Sequence, residues 1–282
     1  MGKPSKETLL ISSLREYIRS IRPVISNCND KGGVGKTTVT AHEAWYAAQV
    51  LGLKTLVCDF EKHLTKLLCG NRLPDLPDYA VATDLFSEDG IKKPIYQLPD
   101  SPNLYLLPAD HHMKAIDTIP MDAGIVLNPR FNIEALREQF DLIIIDTPPV
   151  TGNRQQAGIL AATNAILITE MSALSIEAVS DAINISNALI DDINVNNDGL
   201  SINYPNYIVL PNKFNSRRSR HCHYLKVLKG FGISLSPAIE DREPLGIAID
   251  NGNPVWTYSD GNSRLASKNI KSVLEFLFTG VK

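Results

Sequence analysis

Ten consecutive residues, NDKGGVGKTT at 29–38, constrain the fold of this chain more than any other stretch. They follow a short apolar run at 23–28 and precede an alanine-rich segment at 37–51 with helical periodicity. Strand, glycine-rich turn and helix, in that order, make a unit that cradles phosphate. The glycines let backbone N–H groups turn inward, and the helix N-terminus adds its positive end. The general pattern is G-x-x-x-x-G-K-[ST]. Gly35, Lys36 and Thr37 supply its second half, but the first glycine position holds Asp30, and an extra lysine, Lys31, stands inside the loop. On this pattern Lys36 reaches the β- and γ-phosphates of a nucleotide and the Thr37 hydroxyl takes Mg²⁺, while Gly32, Gly33, Val34, Gly35 and Thr38 line the phosphates.

The rest of the chain alternates in the same manner. Apolar runs at 54–60, 103–107, 141–146, 165–169 and 207–210 read as buried strands. Helical patterns at 132–139, 175–189, 217–229 and 263–278 separate most of them. Continuous apolar strands alternating with helices predict an α/β fold, a mostly parallel central sheet with helices on both faces. An amphipathic helix with Leu10, Leu14, Tyr17, Ile18 and Ile21 at helical spacing precedes it, so 1–22 is expected to be an extension and 23–282 a single P-loop domain. Residues 73–99, rich in proline, read as a surface loop with a short helix. In the final helical pattern Leu265, Ile270, Val273, Leu274 and Leu277 are assigned to the core.

Composition excludes several classes. The chain has 282 residues, 44% apolar and 21% charged, which suits a sizeable globular core. No apolar run approaches the ~18 residues of a membrane span. The start, MGKPSKETLL, has no secretory h-region, so a cytoplasmic location is expected. Four cysteines show no paired spacing, and the triplet His221-Cys222-His223 has no matching pair elsewhere, which argues against a zinc site there. The net charge is only −3, yet residues 207–239 hold no acidic residue and include Lys213, Arg217, Arg218, Arg220, Lys226 and Lys229. Such a local basic stretch suits a polyanion.

A phosphate loop needs a carboxylate at the end of a neighbouring strand to hold the metal's water shell. The run DLIIID at 141–146 ends in Asp146 and is followed by Thr147-Pro148-Pro149, which supplies it. KGGVGKTT, then a strand ending Asp59-Phe60-Glu61, then IIIDTPP, resembles the deviant Walker A ATPases of the ParA/MinD superfamily. The resemblance covers nearly everything from Val24 onward. It implies ATP and Mg²⁺ as cofactors, with Thr37, Asp59 and Asp146 around the metal. It implies that Lys31 is a signature lysine reaching across a homodimer to the partner's ATP, which makes the missing glycine at Asp30 ordinary. It also implies catalytic parts for Lys31, Lys36, Asp59 and Glu61. The family's segment after the second strand usually reads D-x-D-P, and its second aspartate orients the attacking water. Here Glu61 stands in that place, one methylene further from the backbone, followed by Lys62. Near-attack geometry is sensitive to ~1 Å, so slow hydrolysis is expected. Asn212, in the stretch YIVLPNKFN, matches the position that often meets adenine.

Two functional readings follow from the resemblance. A ParA-type partition ATPase would bind DNA without sequence preference as an ATP dimer and be reset by a ParB-like centromere-binding partner, associating with the nucleoid. A MinD-like ATPase would cycle on a membrane or scaffold, and a conjugation-associated positioning factor is a variant of the same chemistry. MinD-type chains end in a basic amphipathic tail. Here the last helical pattern is followed only by Thr279-Gly280-Val281-Lys282, so no stable membrane attachment is expected. Arg217, Arg218 and Arg220 opening a predicted helix and Lys226 and Lys229 closing it are the expected contacts to DNA phosphates.

Overall fold

The structure is a computed structural model and describes residues 5–70, 76–120, 123–197 and 199–281. Its centre is a run of strands whose every residue is buried: β1 (Val24–Cys28), β2 (Thr55–Asp59), β5 (Leu142–Asp146) and β6 (Asn164–Thr169). They are joined by β3 (Tyr96–Gln97), β4 (Leu104–Leu107), β7 (Asn206–Pro211) and β8 (Ser234–Leu235) in one sheet of order β3-β4-β2-β5-β1-β6-β7-β8. All pairs are parallel except β3–β4 at the edge. Strands buried on both faces have no polar side to show, which is why they read as unbroken apolar runs.

The nine helices among the described residues are α1 (Lys6–Ile21), α2 (Lys36–Trp45), α3 (His63–Cys69), α4 (Ala123–Leu136), α5 (Asn153–Ala161), α6 (Ala173–Asn196), α7 (Ser219–Lys229), α8 (Glu243–Asp250) and α9 (Gly261–Gly280). A π-helical turn, Tyr46–Val50, prolongs α2. One face of the sheet packs residues of α1, α2, α8 and α9, including Ile18, Ala44, Ala248 and Phe278. The other packs α4 and α5 with Val126, Ile133 and Leu160. A third cluster joins α6 and α7 to β6 and β7 through Val179, Leu228, Leu167 and Val209.

Several expectations are corrected. The segment 73–99 is not a surface loop: Ala80, Ala82, Leu85 and Phe86 are core, and Phe86 packs against Phe60 with ring centroids 5.1 Å apart. Its first residues, 73–75, lie outside the described residues. Leu265 is 54% exposed and takes no part in the core, which α9 fills with Ile270, Val273, Leu274, Leu277 and Phe278. On α1, Leu14 and Ile18 are buried while Leu10 and Tyr17 are exposed. The Tyr17 hydroxyl donates to the Val281 carbonyl at 2.6 Å, fastening α1 beside the end of α9. Helix α4 begins nine residues before the predicted start because Pro129 lies inside it, where proline usually marks a boundary. Arg217 and Arg218 precede α7 instead of opening it.

Since β1, β2, β5, β6 and β7 run parallel, their C-terminal ends lie along one edge of the sheet. β1 sits where the chain order reverses, between β5 and β6. That is the crevice in which open α/β sheets bind ligands.

Candidate phosphate-binding site

The loop after β1 has the backbone that its glycines permit. Gly33 and Gly35 have φ of +76° and +95°, in the region that L side chains rarely adopt. A Cβ on Gly35 would lie 2.3 Å from Asn212 Nδ2, so this glycine is needed twice over. Around Gly32 and Gly33 there is nothing within 4 Å of an added Cβ, which leaves open space on the loop's outer side. Helix α2 then starts at Lys36 with no side chain capping its first N–H groups. Uncapped donors at a helix start are the kind of group that an anion satisfies.

Asp30, the residue in place of the first glycine, accepts a hydrogen bond from Gln155 Nε2 of α5 at 2.5 Å. A side chain at this position ties the loop to a neighbouring helix. Asn29 fixes the other flank, donating to the Ile168 carbonyl (2.6 Å) and accepting from the Lys31 N–H (2.6 Å).

The two lysines of the loop sit in different surroundings. Lys36 is buried and its ammonium donates to the Asn29 carbonyl at 3.0 Å. Burial pushes its pKa down, against the pull of Asp146 and Glu61. Lys31 is half exposed and pairs with Glu170 at 3.0 Å, with Ser175 Oγ at 3.3 Å. Glu170 also pairs with Lys213 at 3.0 Å, and Lys213 donates to the Gly33 carbonyl at 2.6 Å. The two lysines keep the Glu170 carboxyl ionised, with a pKa below the usual value although its burial opposes this.

On the opposite side of β1, Thr37 Oγ1 donates to Asp146 Oδ2 at 2.8 Å and Thr40 Oγ1 to Asp146 Oδ1 at 3.0 Å. Asp146 is fully buried, and burial together with the neighbouring Asp59 raises its pKa to about 7. A hydroxyl and a carboxylate side by side are a hard, all-oxygen donor set, and a buried anion next to a second carboxyl gains from a cation. Thr37 and Asp146 therefore fit a hard divalent ion such as Mg²⁺.

Asp59, expected near the metal, lies beside Asp146 in the paired register of β2 and β5. Its Oδ1 accepts from the Glu61 and Lys62 N–H groups at 2.9 and 2.8 Å, and its Oδ2 from the Thr65 N–H and hydroxyl at 2.6 and 2.7 Å. A carboxylate offers about four lone-pair sites, and all four are taken. Asp59 holds the turn that presents Glu61. Glu61 itself is partly exposed, contacts His63 Nδ1 at 3.3 Å, and is close enough to influence Lys36. Lys62 adopts φ of +148° in this turn.

Asn212, expected to meet adenine, directly follows β7. It is buried, and its amide donates to the Val34 carbonyl at 2.7 Å, under the loop. Val34 is buried and Thr38 uses its carbonyl to bind His42 Nδ1 at 2.8 Å. Arg217, Arg218, Arg220, Lys226 and Lys229 are all exposed, on and before α7, and among the described residues none of them forms an ion pair. They are not part of the loop site.

Sequence reasoning missed a second buried layer behind the metal donors. Glu43 is fully buried on α2 and accepts from Asn27 Nδ2 at 2.5 Å, while the same nitrogen lies 3.0 Å from Thr40 Oγ1. Burial, opposed by the Asn27 bond, raises the Glu43 pKa to about 8, so the carboxyl is largely neutral at pH 7. Glu43 Oε1 and Asn27 Oδ1 have no partner, and a proton on Oε1 would supply the missing donor of an acid–amide pair. Helix α5 was missed as well, because its first residues, Asn153, Arg154, Gln155 and Gln156, are polar yet buried. Arg154 pairs with Asp117 at 2.7 Å and donates to the Phe60 carbonyl at 2.9 Å, bracing the Glu61 turn from behind.

Known proteins resemble this chain in sequence and in fold. A family model described as an AAA domain matches residues 22–201. Protein IncC of Escherichia coli is 26% identical over 255 residues, covering 88% of this chain and 67% of that protein. A ParA family protein of Chlamydia muridarum is 27% identical over 258 residues, covering 88% and 94%. The crystal structure of a putative plasmid partition protein from Borrelia burgdorferi, bound to AMPPNP, superposes with a TM-score of 0.72 at 18% identity, covering 92% of this chain and 99% of that one.

Proposed function

The chain belongs to the AAA-domain family of P-loop ATPases to which the ParA and MinD proteins belong, and on that premise we propose that it is a ParA-like partition ATPase. In this reading it binds ATP with Mg²⁺, closes into a homodimer around two nucleotides, and in that form holds DNA without sequence preference. A ParB-like partner on a plasmid or chromosome stimulates slow hydrolysis and resets it, in the cytoplasm and on the nucleoid.

Lys36 and the N–H groups at the start of α2 bind the phosphates, and Thr37 and Asp146 hold the ion. The bound ion supplies positive charge to the phosphate oxygens as charge develops on them. Lys31 is the cross-subunit lysine: leaving Glu170, it meets the partner's triphosphate, so ATP binding and dimerisation become one event. Glu61, held by the Asp59 turn, orients the attacking water. The added methylene relative to aspartate makes turnover slow. Arg217, Arg218, Arg220, Lys226 and Lys229 contact DNA phosphates.

One observation carries this reading. The loop holds two lysines, one locked inside it and one at its rim, held by an exchangeable ion pair to Glu170 and a hydrogen bond to Ser175. A monomeric kinase-like use of the loop gives the second lysine no task. The test compares oligomeric state and binding to unrelated duplexes with ATP, ADP and no nucleotide, at two salt concentrations. An ATP-specific dimer that alone binds DNA, more weakly at high salt, is expected. An ATP-specific dimer without DNA binding would instead favour a MinD-like or conjugation-associated positioning role on a membrane or protein scaffold.

A further inference from the structure

The end of β4 carries a group of side chains that the nucleotide reading does not use. Asp110, His111 and His112 follow the strand and open into a 3₁₀ turn, Met113–Thr118. One ligand atom from each of the three lies within 4.8 Å of the others. The two imidazoles are in contact, with ring centroids 3.7 Å apart. Among the described residues this is the one group of three or more His, Cys, Asp or Glu placed to share an ion. The His221-Cys222-His223 triplet does not converge in this way, since His221 Nδ1 accepts from the Asn215 N–H and the Cys222 thiol faces the Ser216 carbonyl.

A second observation concerns the carboxylate of the same group. Asp110 Oδ1 is buried and has no hydrogen-bond partner, although a carboxylate oxygen removed from water ordinarily finds a donor or a metal. The other oxygen is oriented by Thr83, whose hydroxyl donates to Asp110 Oδ2 at 3.0 Å. That is the arrangement in which an outer hydroxyl fixes a ligating carboxylate. The backbone is fixed too, because the Ala109 N–H donates to Thr65 Oγ1 at 3.0 Å, the same hydroxyl that binds Asp59.

We propose that Asp110, His111 and His112 form a binding site for a divalent transition-metal ion of the zinc class, separate from the Mg²⁺ position at Thr37 and Asp146. Two imidazoles and one carboxylate are the donor set of zinc, nickel or copper(II), whereas Mg²⁺ takes oxygen ligands. Tetrahedral zinc with bonds of about 2.0–2.1 Å places its ligands about 3.4 Å apart. The two rings are exposed, so their side-chain torsions are free to turn toward that spacing. Three protein ligands leave a position for water.

The test needs no nucleotide and therefore stands apart from the partition reading. The full chain, without a polyhistidine tag, is titrated with Zn²⁺ against a chromophoric chelator in millimolar Mg²⁺. One equivalent is expected to bind. His111→Gln/His112→Gln loses that equivalent, and Thr83→Val weakens it about tenfold. Failure to bind, or an equivalent that survives in His111→Gln/His112→Gln and disappears in His221→Gln/Cys222→Ser, overturns the proposal. If the double variant does not fold, Co²⁺ absorption of the parent protein decides. Ligand-field bands without thiolate charge transfer support the site, and a thiolate band overturns it.

Discussion

The two flanks of β1 are built from different kinds of charge. Toward β5 and β2 lie Asp146, Asp59 and Glu43, all fully buried, with Asp146 and Glu43 pushed up by burial to about 7 and about 8. Toward β6 and β7 lie Glu170, Lys31 and Lys213, each reached by solvent and bound by ion pairs. Buried groups of this kind are costly to rearrange, because a charge deprived of its partner inside the protein keeps the full desolvation penalty. Exposed pairs are worth only about 0.2–1 kcal/mol and can exchange partners. One flank is thus suited to fixed chemistry, and the other to a change of contacts.

Substitution at either flank tests this division. The largest effect is expected at Asp146→Asn, which removes the buried anion that receives Thr37 and Thr40. ATP turnover should fall about 10²–10³-fold, measured as phosphate release under saturating Mg-ATP, and a loss below tenfold would detach this flank from the chemistry. Lys31→Ala should retain nucleotide binding within a few-fold and lose the ATP-dependent dimer, read by analytical ultracentrifugation beside nucleotide affinity. A dimer that persists would make the exposed flank ornamental.

Glu43→Gln sharpens the contrast through pH. In the wild type the folded Glu43 pKa lies above the unfolded value, so the folded state binds the extra proton between about pH 4.5 and 8 and stability falls as pH rises through that window. The amide keeps the neutral form and should gain on the order of 4 kcal/mol at pH 8, against about 1 kcal/mol at pH 5, in urea unfolding. Equal effects at both pH values would contradict a neutral Glu43. His42 works in the opposite sense. Burial lowers it to about 4, so its contribution is lost as pH falls from about 6.5, where Val255 N–H and the Thr38 carbonyl fix the neutral ring. The smallest effect is expected at Glu170→Gln. Freed of its ion pair, Lys31 should support dimerisation at ATP concentrations about two- to five-fold lower.

What the sequence disclosed follows the reach of each interaction along the chain. The loop, Thr37 and the strand ending in Asp146 are local signals, each readable within ten residues. Glu170, which holds Lys31 across 139 positions of sequence, leaves no local trace. Glu43 sits in a helix whose pattern is apolar, and only the structure shows Asn27 answering it. Binary patterning fails on α5, where buried Asn153, Arg154 and Gln155 are each satisfied by distant partners, and on Leu265, which has the right period and faces solvent. For Asp59 and Asn212 the structure adds hydrogen bonds that the motif does not show, because a residue's place in a motif does not reveal how many of its lone pairs or donors are already taken.

Glu170 binds two cations at once, one on each oxygen. If Lys31 departs, Lys213 stays, seated in a left-handed backbone conformation with φ of +51° and anchored to the loop carbonyl of Gly33. The acid left behind is then still neutralised, so the departure strands no lone anion at the rim. Loss of one of the two ion pairs therefore leaves the other to hold the carboxylate.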